Sequence, residues 1–275
     1  MIDLDPETVS AAQRGSRAAL ESIVRQLQRP LFNLAIRMLG NAADAEDAAQ
    51  EVLILVITHL GEVRAAPAAA SWVFRIACRY LVHARKKGRL EAQRLTFRAF
   101  AADLEAGLEE LPAHATADPE TAALIEEVKI GCTLALLTCL TRQLRAAYVL
   151  GEIFELTDAE AAFALEIAPA AYRQRLRRAR ALVTSFLQAK CGIVSADAAC
   201  RCHRRVGQAL RLGRIARGHP AFGDSTPLKP RVADVQASVA KLDRGRAVAA
   251  LLRSNPNFTT NVGELALQVL DRDGL

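Results

Sequence analysis

The chain has 275 residues, of which 51% are hydrophobic and only 5% aromatic, and its formal net charge is +6. This length suits two or three small domains or one large one, and no run approaches the roughly 18 apolar residues that span a bilayer. The acidic N-terminus lacks the basic and apolar segments of a signal peptide, so we expect a cytoplasmic protein without membrane insertion. Richness in Ala, Leu, Arg and Glu predicts an all-α fold.

The first elements are predicted to be helices. Residues 7–28 form one, and Pro30 opens a second that ends at Gly40-Asn41. A third helix follows, and its acidic residues recur at three- and four-residue spacing, which places them in one stripe. The stripe is either the solvated face of a well-capped helix or a docking site for a basic partner helix. Its candidate binding residues are Asp44, Asp47, Gln50 and Glu51.

The next predicted helix, residues 70–89, interleaves aromatic and basic side chains. Bases stack on aromatic rings while cations hold phosphates, so this pattern suits single-stranded nucleic acid. Alternatively, Trp72 belongs to the core and the terminal cations favour the helix dipole. For Trp72 alone, a position in the core is favoured. For the helix as a whole, binding of nucleic acid is favoured. The candidate contacts are Trp72, Arg75, Arg79, Tyr80, Arg85, Lys86 and Lys87.

An acidic segment separates this helix from the next basic one. Residues 99–128 contain no Lys or Arg, while acidic residues accumulate around Pro112 and Pro119. Such a shift in composition is typical of a linker. The acidic residues are Asp103, Glu105, Glu109, Glu110, Asp118, Glu120, Glu126 and Glu127.

A helix-turn-helix is predicted over residues 156–180. Thr157 and Glu160 have the spacing of a capping box, and Pro169 suits the first position of a second helix. On that helix Tyr172, Leu176, Ala179 and Val183 recur at helical spacing and should face inward. The alternative is an ordinary hairpin with a solvated arginine face, but reading of duplex DNA is favoured. The candidate DNA contacts are Arg173, Gln174, Arg177 and Arg178.

The remaining residues, 191–275, begin with a cluster of cysteines. Cys191, Cys200, Cys202 and His203 are candidate ligands of zinc, although their spacing is poor for it. A redox-responsive Cys200/Cys202 pair and inert thiols are the other two hypotheses. We expect residues 206–232 to be loose, residues 232–252 to form one helix, and a last helix to begin near Asn261.

In their order, these segments resemble a bacterial sigma factor of the sigma-70 family. The residues that carry the resemblance are DAEDAAQEV, SWVFRIACRYLVHARKKGR, the acidic linker and the helix-turn-helix, over roughly residues 10–190. The short layout resembles the extracytoplasmic-function (ECF) group. Leu53 stands where an aromatic residue is usual, Ala168 replaces a capping Ser, and Tyr172 replaces a small aliphatic residue.

The resemblance implies the partners. The acidic stripe would bind the β′ clamp helices of core RNA polymerase, the basic aromatic helix would bind and open the promoter −10 element, and the helix-turn-helix would read the −35 element and meet the β flap. The linker would lie in polymerase channels normally occupied by RNA. An anti-sigma partner is compatible with the group. The chain lacks H-E-x-x-H, G-x-S-x-G and Walker motifs, so we expect no catalysis and no required cofactor.

We also expect the tail to regulate the sigma core in cis, by folding over region 2 or region 4. Two other hypotheses are a stand-alone helix-turn-helix regulator with a metal- or redox-sensing tail, and a helical adaptor that binds only proteins. The predicted domains are a region 2-like domain at 7–97, a linker at 98–128, a region 4-like domain at 129–190, and the extension at 191–275.

Overall fold

The computed structural model describes residues 2, 4–83, 95–109, 118–218, 232–240, 242–258, 260, 262–263 and 267. Within these ranges the regular elements are helices, and an isolated β-bridge joins Cys191 and Cys200. The predicted all-α fold is confirmed. The helices are α1 Pro6–Gln13, α2 Arg17–Leu39, α3 Ala42–Thr58, α4 Ala69–His83, α5 Phe97–Ala106, α6 Pro119–Thr138, α7 Arg142–Tyr148, α8 Asp158–Ala164, α9 Pro169–Lys190, α10 Val206–Arg211, α11 Val232–Val239 and α12 Arg244–Arg253.

The break between the first two helices lies at Gly15, and the predicted break at Pro30 is wrong. Gly15 has a φ of 88°, a conformation that a side chain would make costly. Ser16 then caps α2, because its hydroxyl accepts a hydrogen bond from the Ala19 N–H at 3.4 Å. Pro30 lies inside α2, and buried residues occur in the helix on both sides of it. We infer that this burial outweighs the roughly 3 kcal/mol that an internal proline costs.

Two compact units make up the chain, and each combines separate segments. The first unit comprises residues 1–87, 149–175 and 257–275. In it α2 packs against α1 and α3, and α4 packs against α3 and α8. Its interior is apolar, with side chains such as Ile23, Leu27 and Val52 almost inaccessible to solvent.

The second unit comprises residues 88–148 and 176–256. Along α6, Leu124 and Val128 form a buried cluster with Val206, Ala209 and Ile215 from the extension. Phe97 and Phe100 of α5 each place their ring centroid 5.4 Å from that of Phe186 on α9. The extension therefore contributes to the apolar interior of this unit, and the predicted domain boundaries stay predictions.

Two expectations for the extension are wrong. Residues 206–211 form α10, and Ile215 just after it is 5% exposed, so this part of the predicted loose stretch is packed. The single helix predicted for 232–252 is two, because the Asp243 side chain caps α12 by accepting from the Arg246 N–H at 3.1 Å. In the described ranges, no helix is both long and apolar enough to cross a membrane.

Candidate polymerase and nucleic-acid interfaces

The acidic stripe lies on the open side of α3. Asn41 caps this helix by accepting a hydrogen bond from the Asp44 N–H at 3.0 Å, which fixes where the stripe begins. Asp47 and Glu51 are exposed, and Gln50 and Asp44 are half-buried. The opposite side of α3 is buried, so the fold presents the four residues together. Their binding to polymerase stays a prediction.

The basic aromatic helix corresponds to α4. Phe74 is 3% exposed and meets Phe154 edge to face, with ring centroids 5.6 Å apart, so this position belongs to the core. Trp72 and Tyr80 are half-buried, and Arg79 is exposed. Trp72 is thus less buried than the core interpretation predicts. Three further candidate contacts, Arg85, Lys86 and Lys87, lie outside the described residues.

Arg75 of α4 contacts Phe163 and Glu166 of the helix-turn-helix, and these three residues belong to the first unit. Its Nε donates to a carboxylate oxygen of Glu166 at 2.8 Å, and its guanidinium lies 5.4 Å from the ring centroid of Phe163. Glu166 has a φ of 53°, a conformation that costs a residue with a side chain about 1 kcal/mol or more. Sequence reasoning missed this pair. The signal available in the sequence was Glu166 itself, because this turn of a helix-turn-helix often uses glycine.

The helix-turn-helix has the predicted local geometry. Thr157 and Glu160 form the reciprocal capping box at the start of α8, and Pro169 begins α9. The four inward-facing positions are 4% exposed or less, which confirms the spacing argument: Tyr172, Leu176, Ala179 and Val183. All four candidate DNA contacts are exposed: Arg173, Gln174, Arg177 and Arg178.

One of these cations already has a partner within the motif. A nitrogen of the Arg173 guanidinium lies 3.7 Å from an Asp158 carboxylate oxygen, and both side chains are about half exposed. An exposed pair of this kind contributes at most about 1 kcal/mol, so DNA phosphate could replace it at little cost. Contact of these residues with DNA stays a prediction.

A fourth cysteine, from α6, completes the cluster that the sequence located in the extension. Burial raises the pKa of Cys132, and so do the nearby thiols of Cys191, Cys202 and Cys200. Burial likewise raises the pKa of Cys200 to about 11, with the neighbouring Cys191 adding to the shift. These thiols are therefore protonated at neutral pH and react slowly. The backbone bridge between Cys191 and Cys200 includes a hydrogen bond from the Gly192 N–H to the Cys200 carbonyl at 3.0 Å.

The structure brings these cysteines together without forming a ready metal site. Across the described part of the chain, no group of three or more His, Cys, Asp or Glu side chains is placed to hold a metal ion. His203 is half-buried beside Cys202. Zinc binding by Cys191, Cys200, Cys202 and His203 stays a prediction. Metal analysis of the purified protein before and after chelation tests it.

The extension also contacts α2 within the first unit. Asn33 donates from Nδ2 to the Phe258 carbonyl at 3.2 Å and accepts from the Phe258 N–H at 3.1 Å. The Phe258 ring meets Phe32 edge to face at 6.5 Å, and the Arg37 guanidinium lies 5.4 Å from its centroid. Burial lowers the pKa of Arg37 to about 10. Phe258 of the extension is thus tied to a helix of the predicted region 2.

The acidic linker contacts the extension within the second unit. Asp103 accepts from both terminal nitrogens of Arg214 at 2.8 Å and from Arg205 at 2.9 Å. The hydrogen bond from Arg214 is the main cause that lowers the pKa of Asp103, with the charges of Arg214 and Arg205 adding to it. Glu109 pairs with Arg211, and Glu120 pairs with Arg217 at 3.0 Å. The sequence identified the acidic residues and missed their partners.

Comparison with known proteins found a matching family model and related sequences. The model of the Sigma-70 region 2 family matches residues 23–90, which include α3 and α4. The RNA polymerase sigma-H factor of Pseudomonas aeruginosa is 28% identical over 188 residues, 67% of this chain and 94% of the relative. The ECF RNA polymerase sigma factor SigE of Mycolicibacterium smegmatis is 29% identical over 178 residues, 63% of this chain and 64% of that relative.

Proposed function

We propose that this chain is an alternative sigma factor of the ECF group of the sigma-70 family and that it directs promoter-specific transcription initiation. The observation that carries this proposal is the region 2 match over a segment with two chemically different faces. α3 presents carboxylates to solvent, while α4 presents arginine and aromatic side chains. One face suits a basic protein helix and the other a nucleic acid.

We propose that the α3 stripe binds the β′ clamp helices of core polymerase. Asp47 and Glu51 are exposed one helical turn apart, so a helix lying across them could pair its cations with both. Complementary charge of this kind speeds association and fixes register more than it adds affinity. Asp44 and Gln50 would contribute at the edge of the same contact.

For the −10 element we propose that α4 supplies the contacts. Opening a promoter exposes unstacked bases, and stacking on aromatic rings compensates about 1–3 kcal/mol per base. Trp72 and Tyr80 are half-buried, so part of each residue remains exposed to solvent. Arg79, together with the cations at 85–87, would hold phosphates, and Arg75 would do so only by leaving its pair with Glu166.

The helix-turn-helix would read the −35 element as duplex DNA. Its exposed cations lie in the N-terminal half of α9, the part of a recognition helix that enters the major groove. The same domain would meet the β flap, and an anti-sigma factor would be a further partner. Acting as a subunit of polymerase, the protein would do no chemistry itself and would work in the cytoplasm.

A run-off transcription assay with core polymerase and a library of genomic promoters tests the proposal. We expect the chain to bind promoter DNA weakly alone and to initiate specifically once core polymerase is added. A stand-alone regulator would instead bind a palindromic site without polymerase. Failure to initiate from every promoter in the library would contradict the proposal.

Variants of α9 test the −35 contact separately. Arg173→Ala with Arg177→Ala should weaken −35 recognition, since each base contact is worth about 1–3 kcal/mol. Transcription from a promoter that depends on the −35 element should fall, while binding to core polymerase should not change. Arg17→Ala with Arg25→Ala, which removes two exposed arginines of α2, is the matched control.

A further inference from the structure

Three arginines of α10 and the segment after it, together with Arg205 just before α10, face the carboxylates of the linker. We call Arg205, Arg211, Arg214 and Arg217 the tail arginines, and Asp103, Glu109 and Glu120 the paired linker acids. Each paired linker acid forms an ion pair with at least one tail arginine, and the partners lie about a hundred positions apart in sequence. The contact is therefore a product of the tertiary fold.

Arg205 forms the centre of this contact. Its side chain is 6% exposed, and its Nη1 donates to the carbonyl oxygens of Asp103 at 2.8 Å and Leu104 at 3.1 Å. These carbonyls belong to the last turn of α5, where helix oxygens lack partners within the helix. A cation here also complements the negative end of the helix dipole. Arg205 thus caps α5 from outside.

Arg214 also binds Asp103. Its two terminal nitrogens each lie 2.8 Å from one carboxylate oxygen of Asp103. This two-pronged geometry is the strong form of an arginine–carboxylate pair, and Asp103 is held by it at the same time as by Arg205. The carboxylate of Asp103 is therefore occupied on both of its oxygens.

The backbone of both segments is shaped for close approach. A methyl group added at Gly107 would lie 2.0 Å from Nη1 of Arg205 and 1.4 Å from the side-chain oxygen of Gln208. One added at Gly207 would lie 2.2 Å from a carboxylate oxygen of Glu109. The two segments also share a backbone hydrogen bond, in which the Glu109 N–H donates to the Arg204 carbonyl at 2.9 Å. Glycine at each position leaves room for side chains of the facing segment.

We propose that the tail arginines are the internal partner of the paired linker acids and compete for them with core polymerase. The proposal rests on the function proposed above, because it requires that the chain bind core polymerase, and on the family resemblance, which implies that the acidic linker would lie in channels that otherwise hold RNA. A channel that holds RNA is lined by cations, because RNA is a polyanion. A carboxylate already bound by Arg205 and Arg214 is not available to those cations. Core binding must break these pairs first.

The exposed tail arginines allow a test that spares the fold. Arg211, Arg214 and Arg217 have side chains 62%, 51% and 59% exposed, so the triple variant Arg211→Gln, Arg214→Gln, Arg217→Gln should remain folded. We expect it to bind core polymerase about tenfold more tightly than the unchanged chain, because three competing pairs are gone. Titration of fluorescently labelled protein with core polymerase measures the affinity.

A matched control removes the same charge elsewhere. Arg17→Gln, Arg25→Gln, Arg246→Gln also removes three exposed, ion-paired arginines, and its partners Glu21 and Asp243 lie outside the linker. It should bind core polymerase as the unchanged chain does. Equal tightening in both triple variants would show a general charge effect and would overturn the proposal.

Hydrogen exchange on the full chain without polymerase provides the second readout. Amides of residues 97–109 should exchange faster in the tail variant than in the unchanged chain and the control. Unchanged exchange there, or unchanged or weaker core affinity, overturns the proposal. Suppose that the unchanged chain binds core polymerase and initiates transcription, while the variant of Arg211, Arg214 and Arg217 binds core no more tightly. Only this inference then fails. If neither the unchanged chain nor any variant binds core polymerase, the proposed function is wrong. The proposed competition between the tail arginines and core polymerase is then wrong as well.

Discussion

The chain has two acidic surfaces of similar composition and opposite availability. On α3, Asp47 and Glu51 are exposed on an open helix face. On α5 and the segment after it, Asp103 and Glu109 are bound by arginines of the extension. Both regions are rich in Asp and Glu. Availability to a partner therefore depends on what the rest of the chain places against each surface.

The two surfaces also differ in how their charge is held. The pKa of Asp103 and that of Glu109 both lie below their usual values, chiefly because of hydrogen bonds from Arg214 and Arg211 respectively. Such carboxylates stay ionised and oriented without any external partner. The difference teaches that an acidic run in a sequence is a binding surface only where the chain itself leaves it uncovered.

Charge reversal on the open surface should have the largest effect. Asp47→Lys with Glu51→Lys should weaken binding to core polymerase by at least about a hundredfold, because like charges facing each other cost several kcal/mol. Both side chains are exposed, so the circular dichroism spectrum and the melting temperature should change little. Undiminished core binding would remove the distinction between the two surfaces.

Loss of Arg205 should destabilise the contact between the linker and the extension. Arg205→Ala should lower the free energy of unfolding by about 2–3 kcal/mol, since it leaves two carbonyls of α5 and a partly buried carboxylate without that donor. Chemical denaturation measures the change. Arg17→Ala is the control, because its pair with Glu21 is exposed and should contribute less than about 1 kcal/mol. Similar losses in both variants would contradict the central role of Arg205.

A methyl group at the point of contact should loosen it by a smaller amount. Gly107→Ala should lower the free energy of unfolding by about 1–2 kcal/mol, because Arg205 and Gln208 must move away. Gly61→Ala is the matched control, since nothing lies within 4 Å of the added atom. The comparison needs only thermal melts of the two variants. If Gly61→Ala proves the more damaging, close approach at Gly107 is not what matters.

The smallest predicted effect is a change of stability at low pH. The folded pKa of Asp103 lies below its ordinary value of 3.8, so its contribution to stability is complete above that pH and is lost as the pH falls through the folded pKa. The stability gap between the unchanged chain and Asp103→Asn should therefore shrink between pH 6 and pH 3. Asp47→Asn should differ little from the unchanged chain at pH 6, because its side chain is exposed. A gap for Asp103→Asn that stays constant in acid would contradict the ion pairing.

Much of the architecture was predictable because it is encoded locally. Thr157, Glu160 and Pro169 specify the ends of two helices through contacts three or four residues long, and all three act as predicted. The inward positions of α9 follow from helical spacing alone. Pro30 misled the prediction because its local cost is outweighed by burial, which the sequence around it does not reveal.

The parts that escaped prediction join residues far apart in the chain. Cys132 approaches the cysteines of the extension, Asn33 binds the backbone of Phe258, and Arg75 pairs with Glu166. No periodicity links such positions, since each contact arises only after helices have packed. Composition could identify the cysteines and arginines as unusual, but it could not identify their partners.

The sequence by itself determined that this protein is all-α, that it carries a capped helix-turn-helix, and that it resembles a sigma factor. These properties rest on spacing, capping and turn chemistry, which act within a few residues. Only the tertiary structure decided that the α3 stripe stays open while Asp103 and Glu109 are held by Arg214 and Arg211. The physical reason is that a charge is available to a partner only where the rest of the chain does not already pair it, and that pairing is set by how the whole chain packs.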